Sequence, residues 1–156
     1  MKHLISIQVK DQFGTLSRVV ELFTSRGYNL DSVCTGEGEA PGIHRITLAT
    51  TGDDKKIKQL LKLLKNLVYV YKVTHLDPSK TISAELMLVK IRVDAAQRAQ
   101  ALELVQAFSG EVVEMNSELL SFRIVGSASQ LDGATKIFRE FEILELARTG
   151  EAAIHI

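Results

Sequence analysis

The stretch Asp11-Gln12-Phe13-Gly14-Thr15-Leu16-Ser17-Arg18-Val19-Val20-Glu21-Leu22-Phe23-Thr24-Ser25-Arg26-Gly27-Tyr28-Asn29-Leu30 decides the fold. Leu16, Val19, Val20 and Phe23 recur at i, i+3, i+4 and i+7. That spacing predicts an amphipathic helix with Thr15, Arg18, Glu21 and Ser25 turned toward water. Gly14 stands where the helix begins, lets the chain turn tightly, and leaves the first unpaired N–H groups open. Gly27 stops the helix. Free helix amides at the positive end of the dipole attract a carboxylate, and the neighbouring Asp11 carboxylate accepts hydrogen bonds from an ammonium. An α-amino acid carries both groups, although Asp-x-x-Gly before a helix is more often ordinary turn and cap chemistry.

On either side the chain alternates. His3 to Val9 sets Ile5, Ile7 and Val9 against Leu4 and Ser6, which predicts a strand with one buried face. After the helix, Tyr28 to Thr35 and Ile43 to Thr51 read as two strands joined by the Gly-rich loop Gly36 to Gly42. That loop lacks the Gly-Lys-Ser/Thr ending of a phosphate loop. Gly52-Asp53-Asp54 opens a second helix with Ile57, Leu60, Leu61 and Leu64 on its apolar face. Lys55, Lys56, Lys58, Lys62 and Lys65 lie mainly on the other side, the usual pattern of a solvated face. Val68 to Leu76 closes a β-α-β-β-α-β unit.

Asp77-Pro78-Ser79-Lys80 breaks the pattern, because Pro78 suits neither a helix interior nor a central strand. The expected organisation is a first domain over 1–77, a linker over 78–82 and a second domain over 83–156. In the second, Glu85 to Val93 is a strand. Asp94 caps a helix with Ala101, Leu104, Val105 and Phe108, and Gly110 ends it. Glu111 to Met115 and Leu119 to Val125 pair across the turn at Asn116-Ser117. Ser127-x-x-Gln130 is a capping box for a last helix with Leu131, Ala134, Ile137, Phe138 and Phe141 on its apolar positions. Ile143 to Ala147 and Ala152 to Ile156 supply terminal strands. The β-α-β-β-α-β order recurs with little residue-level similarity, so the expected class is α+β, two tandem ferredoxin-like domains. Such sheets carry helices on one face only, and dimerisation is the simplest cover for what remains.

Composition sets the bounds. The 156 residues hold 19 Lys and Arg against 19 Asp and Glu, with 46% apolar residues, as in a soluble globular protein. The swing in net charge, from +3 through Pro78 to −3 beyond it, builds no broad basic field, and aromatics for base stacking are few, so nucleic acid is not an expected partner. Cys34 is the only cysteine, which excludes an internal disulfide and fits a reducing compartment. Met1 leads straight into a strand, without a signal core or membrane-length apolar run; the expectation is a cytoplasmic protein without a membrane partner.

No catalytic set emerges. The four histidines, His3, His44, His75 and His155, sit on strands without metal-site spacing. Cys34 reads as a small buried side chain, and Ser17 and Ser32 lie outside any nucleophile elbow. Tyr28, Tyr69 and Tyr71 sit in or beside strands, where aromatic packing is the default explanation.

Several motifs together resemble one family. They are Gly14-x-Leu16-Ser17-Arg18, Arg26-Gly27-Tyr28-Asn29-Leu30-Asp31-Ser32, His44-Arg45-Ile46-Thr47, Glu85-Leu86-Met87-Leu88-Val89-Lys90-Ile91 and Leu144-Glu145-Leu146-Ala147-Arg148-Thr149-Gly150. Along most of its length the chain is similar to the small regulatory subunit of acetolactate synthase (acetohydroxyacid synthase), whose N-terminal domain is an ACT domain. The resemblance implies a non-catalytic protein that binds the large catalytic subunit, raises its activity and confers feedback inhibition by valine, or by leucine or isoleucine. Thiamine diphosphate, Mg²⁺ and FAD would belong to the partner, leaving no cofactor here. It also implies a homodimer through the ACT domains, with effector sites shared between chains. Asp11, Gln12, Phe13, Gly14, Thr15 and Leu16 would come from one chain, Asn29 and Leu30 from the other. The family often has Asn where this chain has Asp11, and an ionised Asp only accepts hydrogen bonds. The other readings are a stand-alone amino-acid-binding ACT module and a small enzyme on a ferredoxin-like scaffold; the Leu-Met-Leu-Val-Lys stretch and second domain disfavour the former, the missing catalytic set the latter.

Overall fold

The computed structural model describes all 156 residues, which separate into two compact units, Met1–Ser83 with Glu151–Ile156, and Ala84–Gly150. The first unit runs β1 (Lys2–Lys10), α1 (Thr15–Ser25), β2 (Leu30–Glu37), β3 (Ile43–Thr51), α2 (Asp54–Lys65) and β4 (Val70–Leu76). Its four-stranded antiparallel sheet has the order β2-β3-β1-β4. Register places Ile5 opposite Leu48, and Ile7 opposite Ile46. These alternate positions bury one sheet face against Val19 and Phe23 of α1 and Ile57, Leu60 and Leu64 of α2.

The second unit follows a 3₁₀ turn at Pro78–Lys80 capped by the Asp77 carboxylate. It runs β5 (Thr81–Arg92), α3 (Arg98–Ala107), β6 (Glu111–Met115), β7 (Leu119–Gly126), α4 (Ala128–Phe138) and β8 (Glu142–Arg148), with sheet order β6-β7-β5-β8. Met87, Val89 and Ile91 of β5 and Phe122 of β7 bury against Ala101, Val105, Leu131 and Phe138. A last strand, β9 (Ala152–His155), belongs to the first unit and pairs with β5, whose first residues lie in that unit as well. The fold is therefore α+β, the same split β-α-β order used twice.

Local chemistry explains most boundaries. After α1, Tyr28 N–H bonds Phe23 O at 2.9 Å and Gly27 N–H bonds Thr24 O at 3.0 Å, with Gly27 at φ +73°. This is a Schellman stop, closed by the Phe23 and Tyr28 rings edge to face at 6.4 Å. It consumes Tyr28, so β2 starts at Leu30 rather than at Tyr28 as the alternation suggested. Asp53 caps α2 by accepting from Lys55 N–H, and Ser127 with Gln130 forms the expected capping box of α4.

Five further sequence expectations are corrected. Thr15 is only 5% exposed and Leu16 is 39% exposed, the reverse of the expected faces. Thr15, Val19 and Phe23 form the core row at i, i+4 and i+8, and the Thr15 hydroxyl is satisfied by Gln12 O at 2.9 Å. Asp94 caps a turn and not α3, which begins at Arg98; its carboxylate accepts from Gln97 N–H at 2.8 Å. At the end of α3 the left-handed residue is Ser109, φ +54°, and Gly110 is needed for space instead. Tyr69, at φ +72°, lies in a turn, so β4 begins at Val70 and not at Val68. Cys34 is half-buried, since β2 is an edge strand.

Candidate functional site at the start of the first helix

The loop between β1 and α1 is held from both sides of the sheet end. Lys10 N–H donates to Tyr69 O and Asp11 N–H to Gly42 O, each at 2.8 Å. The chain then turns so that Thr15 N–H reaches Gln12 O at 3.2 Å. Gly14, at φ +81° and ψ −1°, is the residue before the helix and carries no side-chain cap. Only glycine takes that conformation freely, and a Cβ there would have nothing within 4 Å. The first-turn amides of α1 beyond Thr15 have no intrahelical acceptor, and no acidic side chain occupies that turn.

Around these amides the side chains are open to solvent. Phe13 is fully exposed and Leu16 is partly so. Asp11 Oδ2 lies 3.6 Å from Nε2 of His44, which stands on β3 opposite Val9. The pair thus joins the last residues of β1 to the start of β3. Sequence inspection did not assign His44 to the site, and its signal was the β1–β3 pairing, which places it beside the loop only once the register is known. The mouth of α1 offers a patch of amide donors for a carboxylate beside an Asp–His pair that can accept from an ammonium.

Asn29 and Leu30 lie elsewhere in the unit. Asn29 is exposed, its backbone oxygen accepts from Thr50 Oγ1 at 2.6 Å, and Leu30 pairs with Thr50. Lys10 pairs with Ile43, so seven steps of β3, about 23 Å, separate the two sheet ends. Within one chain the structure brings together Asp11, Gln12, Phe13, Gly14, Thr15 and Leu16, and leaves Asn29 and Leu30 at the far end. Beside Asn29, the Tyr28 phenol oxygen is buried without a hydrogen-bond partner. Burial, followed by the Asp53 charge, raises its pKa above the usual phenol value. No cluster of three or more His, Cys, Asp or Glu side chains is arranged to hold a metal ion, and no helix is long and apolar enough to cross a membrane.

Comparisons with known proteins cover both units. A family described as "AHAS small subunit-like ACT domain" matches residues 5–72, and one described as "Small subunit of acetolactate synthase" matches residues 84–156. The chain is 37% identical over 153 residues to a Methanothermobacter thermautotrophicus protein named "Probable acetolactate synthase small subunit", covering 97% of this chain and 91% of that one. It is 32% identical over 155 residues to the acetolactate synthase small subunit of Buchnera aphidicola, covering 99% and 98%. The crystal structure of the acetolactate synthase small subunit from Thermotoga maritima superimposes with a TM-score of 0.92 at 33% identity, covering 100% of this chain and 98% of that one.

Proposed function

The chain belongs to the acetolactate synthase small-subunit family, and from that premise we propose that it is the non-catalytic regulatory subunit that raises the activity of a large catalytic subunit and carries feedback inhibition by valine. Thiamine diphosphate, Mg²⁺ and FAD are then the partner's, and the cytoplasm is the setting. Residues 1–77 act as the effector-binding ACT domain, and 83–156 as a second ferredoxin-like domain.

One observation supports this reading above the rest: the first-turn amides after Gly14 lack an intrahelical acceptor and Asn29 is exposed, yet the two lie at opposite ends of one sheet. A twofold partner that sets its own Asn29 and Leu30 beside the Gly14 loop completes two equal sites in a homodimer. Valine then lies with its carboxylate on the amides after Gly14 and its ammonium near Asp11. Leu16 and the partner's Leu30 form the wall that selects a branched apolar side chain. Leucine or isoleucine would use the same groups. Titrating the purified chain into its cognate large subunit, while pyruvate condensation is assayed with and without valine, tests the reading. The expected result is a rise in turnover that valine reverses; unchanged turnover through a full titration would defeat it.

A further inference from the structure

The face of the first sheet turned away from α1 and α2 is polar over its Gln8 and Ser6 rows, and apolar only at the next row, Ala49, Leu4 and Leu76. Register sets Arg45, Gln8 and Lys72 in one row across β3, β1 and β4, with Thr47, Ser6 and Thr74 in the next. A groove of about 590 Å³ opens over these rows, a volume in the range of small-molecule sites. Ser6 is 3% exposed, and its hydroxyl oxygen accepts from Arg45 Nη1 at 2.6 Å.

The groove already holds a carboxylate, and it is the protein's own. Glu39, in the loop between β2 and β3, reaches over the sheet so that one oxygen is shared by Arg45 Nη2 and by Gln8 Nε2, the latter at 2.9 Å. The Arg45 side chain is three-quarters buried, and a guanidinium so desolvated requires an anionic partner. Glu39 itself is half in solvent, on a short loop that turns through Gly42 at φ +77°. Lys72 makes no ion pair, and Thr74 beside it in the groove makes no side-chain hydrogen bond. The groove therefore has a filled carboxylate position and, across β1, a set of idle donors.

We propose that this groove binds a small carboxylate with an oxo or hydroxyl oxygen next to it, a 2-oxo or hydroxy acid. Its carboxylate takes the place of Glu39 on Arg45 and Gln8, whose Nη2 and Nε2 now converge on a single Glu39 oxygen. Its second oxygen is held by Lys72 and Thr74. Strands β3 and β4 flank β1, so the Arg45 and Lys72 backbones stand about 10 Å apart, and side chains of that length converge over Gln8 on a ligand of a few atoms. Glu39 acts as a tethered competitor, and ligand binding releases its loop from the sheet. The site uses no group at the start of α1 and stands or falls independently of the effector reading.

Calorimetric titration of the full chain with pyruvate tests this, with acetate and inorganic phosphate as comparison probes. Glu39→Gln should bind pyruvate about tenfold more tightly than the unsubstituted chain, because the competing charge is gone. Lys72→Met, which alters an exposed and unpaired side chain, should weaken pyruvate and leave acetate unchanged. Arg45→Met should abolish binding of both, and circular dichroism establishes that it is folded. Saturable binding by neither the unsubstituted chain nor Glu39→Gln overturns the proposal. So does phosphate binding as tightly as pyruvate, acetate matching pyruvate, or displacement of pyruvate by valine.

Discussion

His3 Nδ1 lies 3.1 Å from His75 Nε2, while the other nitrogen of His3 faces Gly52 O at 3.2 Å and the Asp54 carboxylate at 3.4 Å. Flanked by two acceptors, His3 Nε2 carries the proton, so its Nδ1 accepts from His75 Nε2–H when both rings are neutral. Burial, then the neighbouring His3, lowers the His75 pKa, and Lys58 acts the same way against the opposing pull of Asp54 and Asp77. A lowered histidine pKa means that the unfolded chain takes up the proton first as pH falls. The stabilisation is complete above about pH 6.5, and it is lost between there and the lowered folded value. Urea unfolding at pH 7.5 and pH 5.5 should show a smaller loss on acidification in His75→Gln than in the unsubstituted chain. Equal losses would remove this pair from the pH response.

In the second unit, Arg148 grips Glu85 with both arms, Nε to Oε1 at 2.9 Å and Nη2 to Oε2 at 2.8 Å, and Gly150 N–H adds a bond to Oε1 at 3.2 Å. Glu85 is 5% exposed, and the carboxylates of Glu85 and Asp132 raise the Arg148 pKa further above its already high value. Glu85→Gln leaves Arg148 with only the exposed Asp132 carboxylate as counter-charge and should cost about 3 kcal/mol in urea unfolding. Asp132→Asn removes only the exposed arm, at 2.6 Å, and should cost less than about 1 kcal/mol.

At the start of α1, Gly14→Asp and Gly14→Asn share the cost of a side chain at φ +81°, and both side chains enter open space. Only the aspartate puts a charge where the effector carboxylate is expected. At an effective dielectric of about 20, like charges roughly 4 Å apart repel by about 4 kcal/mol, against about 1 kcal/mol for a hydrogen bond lost in Asn29→Ala. Valine calorimetry and inhibition of the reconstituted enzyme should rank Gly14→Asp as the most damaging, well beyond Gly14→Asn. Wild-type valine affinity in Gly14→Asp would move the effector elsewhere.

The end of α3 separates two uses of small residues. A Cβ on Gly110 would meet Ile124 Cγ1, Val105 Cγ1 and Val105 O at 3.0 Å, so Gly110→Ala should destabilise by about 1–3 kcal/mol. Ser109, at φ +54°, bears the left-handed strain, and Ser109→Gly should stabilise by roughly 1 kcal/mol. Paired urea curves check both signs, and a stabilising Gly110→Ala would contradict the packing reading.

Interactions spanning one turn or one pleat were legible in the sequence alone. The Gly27 stop, the Ser127–Gln130 capping box, the apolar row Ile57, Leu60 and Leu64, and the span Ile43–Thr51 all depend on neighbours within a few residues, and they suffice to order the elements and repeat the β-α-β-β-α-β plan. The glycine at the mouth of α1 was legible for the same reason. Tertiary structure decided which side of an element wins when local choices are close. Thr15 is buried in place of Leu16 because a hydroxyl satisfied by Gln12 O costs little, and Ser109 takes the left-handed conformation because it closes α3, letting Ser109 N–H reach Gln106 O and Gly110 N–H reach Val105 O. It also decided every proximity that depends on strand register: Asp11 beside His44, Glu39 over Arg45, His3 against His75, and the separation of Gly14 from Asn29. Pairing of distant strands sets those distances, and no periodicity along one strand encodes which residue of another will lie across from it.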